Sequence, residues 1–385
     1  MKKLALIIFV VVTLISCKEE EVKNDDLNLN DSVFVKNTEA RDDSLRLIDA
    51  YELQSKFEFK ITANIESDAV IGDVNDDAAD DPAIWLNEKH PDKSLILGTN
   101  KKGGLYVFDI HGKLISIKEF GMVNNVDLRD GFSYLGKEVV IGACSNFTNN
   151  SVSVFYIDKK TGELSDIITE IPTEVDFVYG LCMYKDLKNS KFYVIVNKRN
   201  GLFEQWLIFE NDSKIDFQLE RTFSVNSQSE GIAVNDRTDM IYLAVEQEGI
   251  FKISADPDKN EVPVMIPESN DSSVHIFYDI EGLEIFNYKG KDYLLASVQG
   301  NFSYALYETG ITDKYLGSFI ISDGKVDGVE ETDGLDVVST NLLKGFPEGI
   351  IVVQDGFNYD GDTLKNQNFK FIALSKISKL MKKEK

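Results

Sequence analysis

Six segments of this chain open on a polar or acidic residue, usually followed by glycine, and run on into an apolar strand. They are Asp80-Asp81-Pro82-Ala83-Ile84-Trp85, Asn124-Asn125-Val126-Asp127-Leu128-Arg129, Val178-Tyr179-Gly180-Leu181-Cys182-Met183, Ser229-Glu230-Gly231-Ile232-Ala233-Val234, Ile280-Glu281-Gly282-Leu283-Glu284-Ile285 and Thr332-Asp333-Gly334-Leu335-Asp336-Val337. Their second positions are Asp81, Asn125, Tyr179, Glu230, Glu281 and Asp333, at intervals of 44, 54, 51, 51 and 52 residues. If these positions converge on one ring, several carboxylates face each other and must either keep protons or share cations. Many oxygen ligands without a histidine or cysteine pair select calcium over zinc. His90, His111 and His275 are scattered and read as surface or structural groups. The alternative for the acids is a solvated rim without stoichiometric metal.

The loops after the second strand of each repeat form a second ring at the same mouth. They carry Lys101 and Lys102, Asn146 and Phe147, Lys198 and Arg199, Glu246, Gln299, and Gln354 with Asp355. Asp80, Asp279 and Asp327 lie close by in sequence or loop. The basic residues fall on the side of repeats 1 to 3, beside Tyr179. Cations on one side and calcium on the other suit a ligand with several phosphates, with Lys and Arg binding oxygens directly. An ordinary solvated basic patch is the alternative.

The elements that would position these groups also repeat. Second strands are expected at 94–98, 139–143, 192–196, 241–245, 293–298 and 349–353, and third strands at 105–109, 152–157, 203–209, 250–253, 304–307 and 369–374. Fourth strands are less distinct, but 217–225 and 314–321 fit. Four strands every ~50 residues predict an all-β fold, a six-bladed β-propeller with four-stranded antiparallel blades, over residues 56–382. Aromatic content of 11% with many Val and Ile agrees with strands. The 65 acidic against 41 basic residues leave a net charge of −24, which excludes a nucleic-acid footprint.

The N-terminus predicts the compartment. Lys2 and Lys3 precede an apolar stretch from Leu4 to Ile15, too short to span a bilayer, so residues 1–17 read as a secretory leader. Leu14-Ile15-Ser16-Cys17 resembles a bacterial lipobox, with Cys17 the lipidated residue. This places the protein in the bacterial envelope, lipid-anchored to the outer membrane on its periplasmic or surface face. Lys18-Glu19-Glu20-Glu21 resembles an acidic surface-export signal of lipoproteins. Residues 18–55 are a polar tether, in which Leu45, Ile48 and Leu53 predict a short amphipathic helix around 38–54. Cys144 and Cys182 sit in apolar runs and read as core.

Taken together, Asp80-Asp81-Pro82-Ala83-Ile84-Trp85, Thr99-Asn100-Lys101-Lys102-Gly103-Gly104-Leu105, Asn226-Ser227-Gln228-Ser229-Glu230-Gly231, Asp279-Ile280-Glu281-Gly282-Leu283, Leu295-Ala296-Ser297-Val298-Gln299-Gly300-Asn301 and Asn366-Gln367-Asn368-Phe369-Lys370 resemble the β-propeller phytases. The resemblance covers roughly residues 60–380. It implies calcium-dependent release of phosphate from myo-inositol hexakisphosphate (phytate) or a related polyphosphorylated compound. It further implies calcium-site roles for Asp81, Asn124, Glu230, Glu246, Asp279, Glu281, Gln299, Asp327 and Asp333, with the carbonyls of Pro82 and Val126; Asp80 is counted with them. Lys101 and Tyr179 match phosphate-binding positions, and Lys101, Tyr179, Arg199 and Glu246 are the expected catalytic set. The expected partners are the phosphorylated small molecule and, through lipid alone, the membrane, with the protein a monomer.

The pattern is broken at Phe147, where the family usually has Arg, and at Arg199-Asn200, where it usually has Lys-Glu. Phe147 cannot bind an oxyanion, Arg199 keeps charge but not point-charge geometry, and Asn200 lacks a carboxylate. A second reading therefore stands beside the enzyme: a surface propeller that holds calcium and an anion without turning it over.

Overall fold

The computed structural model describes residues 44–166, 168–174, 177–270, 276–342 and 345–382. The leader, Cys17 and most of the tether lie outside the described residues. The chain divides after Lys56. The first unit holds a helix over residues 44–55, and the rest of the expected 38–54 span is outside the described residues.

The second unit is a ring of six sheets. Blades 1 to 4 are each built from four consecutive antiparallel strands: Ala79–Trp85 to Leu114–Lys118, Val123–Tyr134 to Thr169–Pro172, Val178–Asp186 to Lys214–Ser224, and Ser229–Asn235 to Val264–Met265. Blade 5 runs from Ile280–Tyr288 to Lys314–Ser322 and gains a fifth strand, Lys60–Thr62, parallel to its outer edge. Blade 6 supplies only Leu335–Val338, Ile350–Asp355 and Asn368–Ala373 from the C-terminal end; its outermost strand, Ile65–Glu66, comes from the N-terminal end. The two ends of the unit thus close the ring, and this closure was not visible in the repeat pattern.

The strands read as nearly continuous apolar runs because both faces of every blade are covered. Successive side chains point to opposite faces. In blade 3, Val194 and Val196 enter the core shared with blade 2, whereas Tyr193 and Ile195 enter the core shared with blade 4. Leu294 and Ala296 face blade 4, and Tyr293 and Leu295 face blade 6. One apolar cluster fills each of the six blade interfaces. Cys144 and Cys182 are buried free thiols.

The first strands of blades 1 to 5 share one irregularity. Pairing with the second strand skips from Ala79 to Pro82, Val123 to Val126, Val178 to Leu181, Ser229 to Ile232 and Ile280 to Leu283. A bulge sets two residues against one and re-aims a side chain. In blades 3 to 5 its second residue is glycine because the next blade leaves no room. A Cβ on Gly180 would lie 1.9 Å from the Glu230 carbonyl, and one on Gly231 would lie 1.9 Å from that of Glu281. Between blades 6 and 1 the same nesting is held by Gly334 N–H donating to the Asp80 carbonyl at 3.1 Å.

Candidate active site

The bulges set the register of the mouth. Their first residues are Asp80, Asn124, Tyr179, Glu230 and Glu281, with Asp333 at the matching place in blade 6. Asp81 and Asn125, expected in this ring, occupy the second bulge position instead, where blades 3 to 6 have glycine. A one-residue slip turns a strand side chain to another direction. Asp81 and Asn125 accordingly line the central channel one layer below, with Pro82, Val126, Asp127, Glu284 and Asp336. There Asp81 Oδ2 accepts from Val126 N–H at 3.0 Å, and Arg129 pairs with Asp127 at 2.8 Å and Asp236 at 3.0 Å.

Above the channel opens a cavity of about 600 Å³. Asn124, Tyr179, Glu230, Glu281 and Asp333 line it from the bulges, and Lys101, Lys102, Phe147, Arg199, Gln299 and Gln354 line it from the loops after the second strands. The two expected rings therefore meet at one mouth. Asn146, Lys198, Glu246 and Asp355 are not part of its lining. Asn146 donates to the Phe120 carbonyl at 2.7 Å, and Asp355 pairs with Lys370 at 3.1 Å.

The acidic side centres on Glu230, Glu246 and Glu281, each buried, with one carboxylate oxygen apiece within 4.8 Å of the others. Burial, opposed by a Gln228 hydrogen bond and reinforced by Glu230, pushes Glu246 up to about 8. Burial and then the charges of Glu230, Glu246 and Asp333 hold Glu281 well above the carboxylate range. Asp279 adds to the field at both. Among the described residues, Glu246 Oε1, Glu281 Oε2 and Asn124 Oδ1 are buried without a hydrogen-bond partner. Such atoms are costly unless something electropositive meets them. An all-oxygen set with orphaned lone pairs fits a hard divalent cation.

Neighbouring groups hold this set in place. Asn124 Nδ2 donates to Glu230 Oε1 at 2.5 Å, and Tyr179 lines the cavity beside Glu230. Burial, then Glu230 and Glu281, keep Tyr179 a protonated phenol. Gln299 Nε2 donates to Asp333 Oδ1 at 2.6 Å, and Asp333 N–H donates to Gln354 Oε1 at 2.8 Å.

The basic side is less uniform. Lys101 Nζ sits 2.8 Å from Asp77, 3.1 Å from Asp80 and 3.4 Å from Asp333. Burial works against its charge, but these carboxylates outweigh it and the ammonium stays charged. Lys102 pairs with Asp76 at 3.4 Å. Arg199 is held by rings, its guanidinium 4.7 Å from the Tyr179 centroid and 5.4 Å from that of Phe177. Asn200 accepts from Leu202 N–H at 3.3 Å, a turn contact.

Asp327 is placed elsewhere. It bonds to Lys370, whose fully buried Nζ also meets Glu66 at 2.5 Å and Asp355 at 3.1 Å. In this structure the Lys370 ammonium is the cation that faces Asp327. Sequence reasoning missed Asp76 and Asp77, although they stand four residues ahead of Asp80 and Asp81. It also missed Gln367, which accepts from both Ala78 and Ala79 N–H groups. No charge pattern marked that amide.

Comparison with known proteins bears on this arrangement as a whole. The Phytase family profile matches residues 40–385. A 3-phytase of Bacillus subtilis (strain 168) is 40% identical over 339 residues, which is 86% of this chain and 88% of that protein. Since that match runs through all six blades and both sides of the mouth, the chain belongs to the phytase family.

Proposed function

We propose that the chain releases phosphate from phytate at the mouth cavity, with calcium held by Glu230, Glu246, Glu281 and the Asn124 side-chain oxygen. The observation that carries this reading is that the Glu230, Glu246 and Glu281 cluster opens, through Glu230 and Glu281, on the same cavity as Lys101, Lys102 and Arg199. When bound, calcium would supply positive charge against the phosphate oxygens and lower the pKa of a coordinated water. The chain's own residues do the rest. Lys101, held by the buried Asp80 and Asp333, would exchange its contact with the exposed Asp77 for one to a phosphate oxygen, and Arg199 offers a planar fork to a second. Tyr179 stays protonated beside Glu230. Glu246, raised to about 8 by burial when no cation is present, would have to give up its proton to hold calcium.

The test is phosphate release from phytate by the purified protein, with calcium and with chelator. Absence of release under both conditions overturns the proposal, and Lys101→Ala is expected to lower kcat/KM by ~10²–10³. A second reading, calcium-dependent anion binding without turnover, is motivated by Phe147 and Asn200. Tight phytate binding by calorimetry with no turnover would favour it. We further propose that Cys17 carries a lipid that anchors the protein in the bacterial envelope. Mass spectrometry of the N-terminal peptide from native membranes tests this, and an unmodified Cys17 or a different mature N-terminus rejects it.

A further inference from the structure

Phe147 was the residue that broke the phosphate-binding pattern. It is not idle in the fold. Its backbone N–H donates to the Met122 carbonyl at 2.8 Å, and its ring packs on the core between blades 2 and 3. Its outer face stacks on Phe177, with centroids 4.8 Å apart and planes 28° from parallel. Phe177 in turn lies 5.4 Å from the Arg199 guanidinium, whose other aromatic neighbour is Tyr179 at 4.7 Å. The four side chains therefore form one continuous stack from the blade core to the mouth.

Two further facts point away from simple core packing. Phe177 is 50% exposed, so little apolar burial holds it in place. It also adopts φ 66°, a left-handed conformation that a bulky residue rarely takes and that clusters at functional sites. Among the described residues, no hydrogen bond or salt bridge holds the Arg199 guanidinium. Rings bind a guanidinium through its face and leave its edge donors open. A carboxylate would instead consume those donors.

Resting on the phosphatase reading above, we propose that Phe177 and Phe147 are positioning residues for Arg199. The stack holds the guanidinium flat against Tyr179, with its N–H edge free for a substrate phosphate. Phe147 then replaces a direct anion contact with an indirect one, stiffening the neighbouring arginine.

The test is a double-mutant cycle on the full chain with calcium and phytate. Phe177→Leu keeps apolar bulk and loses the ring; Phe177→Tyr keeps the ring. Phe177→Leu is expected to raise KM by about 5- to 20-fold with kcat within a few fold, the loss of a partly desolvated cation–π contact. Phe177→Tyr restores the wild-type KM. In an Arg199→Ala background, Phe177→Leu adds less than twofold, because the interaction it serves is already absent. Phe147→Leu behaves as Phe177→Leu at smaller amplitude. Unchanged melting temperatures exclude unfolding as the cause. Equal losses with and without Arg199, or an unaffected KM in Phe177→Leu, overturn the proposal. If the wild-type protein releases no phosphate, the phosphatase reading fails separately. The same cycle is then read from phytate affinity by calorimetry, where additivity again rejects the stack.

Discussion

Replacing Glu246 with Gln should stabilise the protein in chelator and destabilise it in calcium. At an effective dielectric of about 20, two unit charges 4.8 Å apart repel by ~3.5 kcal/mol. Burial first, and this repulsion after it, favour the protonated form, and Glu246 rises from 4.5 to about 8. A raised carboxyl makes the native state bind more protons than the unfolded chain. Metal-free stability therefore falls as pH climbs from the ordinary carboxylate range to about 8, by ~1.4 kcal/mol per pH unit for each excess proton. The isosteric amide removes that titration. Allowing for relaxation of the site, the gain in chelator at about pH 8 is ~2–3 kcal/mol, shrinking towards pH 5. In saturating calcium the order reverses, since the variant has lost an anionic ligand and ligand binding stabilises only what it binds. Urea unfolding of both proteins, with and without calcium at the two pH values, measures all four cases. A lower midpoint for Glu246→Gln in chelator at about pH 8 would refute the reasoning, because it would mean that Gln228 and Arg199 already stabilise the ionised carboxylate.

Other consequences are simpler. Apparent calcium affinity should rise between about pH 6 and 8 with release of protons, because Glu246 and Glu281 must both ionise to bind; calorimetry in buffers of different ionisation heat would detect this, and a flat profile would contradict it. Lys370→Met leaves Glu66, Asp327 and Asp355 without their buried cation and should cost ~3–5 kcal/mol in urea unfolding. Gly231→Ala drives a Cβ to 1.9 Å from the Glu281 carbonyl and should lower stability by ~2–3 kcal/mol while weakening calcium binding, as the Glu281 backbone is displaced. Wild-type stability in either variant would show that the mouth tolerates the strain or the unpaired acids.

Much of this molecule is legible along the chain because a propeller repeats its instructions. Each blade faces two neighbours, so its strands are apolar on both sides, and six such runs at ~50-residue spacing leave little else to build. Blade boundaries such as Leu105–Asp109 are where the pattern predicts them. The register of the mouth was less legible. Asp80-Asp81 and Asn124-Asn125 are doublets, and without a glycine to mark the second bulge position either residue could face the cavity. Only the pairing of Ala79 and Pro82 with the second strand identifies Asp80 as the residue at the mouth position.

The acidic ring that opened the reading was thus determined by sequence in its composition and spacing, which are local and periodic properties. Tertiary structure decided the rest. It moved Asp81 to the channel, gave Asp327 to Lys370, and brought Ile65–Glu66 across more than 300 residues to finish blade 6. It also placed Phe147 against Phe177 and Phe177 against Arg199. The bulge in blade 1 re-aims Asp81, and the other placements depend on partners distant in sequence. Spacing fixes which residues a repeat presents, but a partner from another blade or the other terminus is set by closure of the ring, which no local pattern encodes.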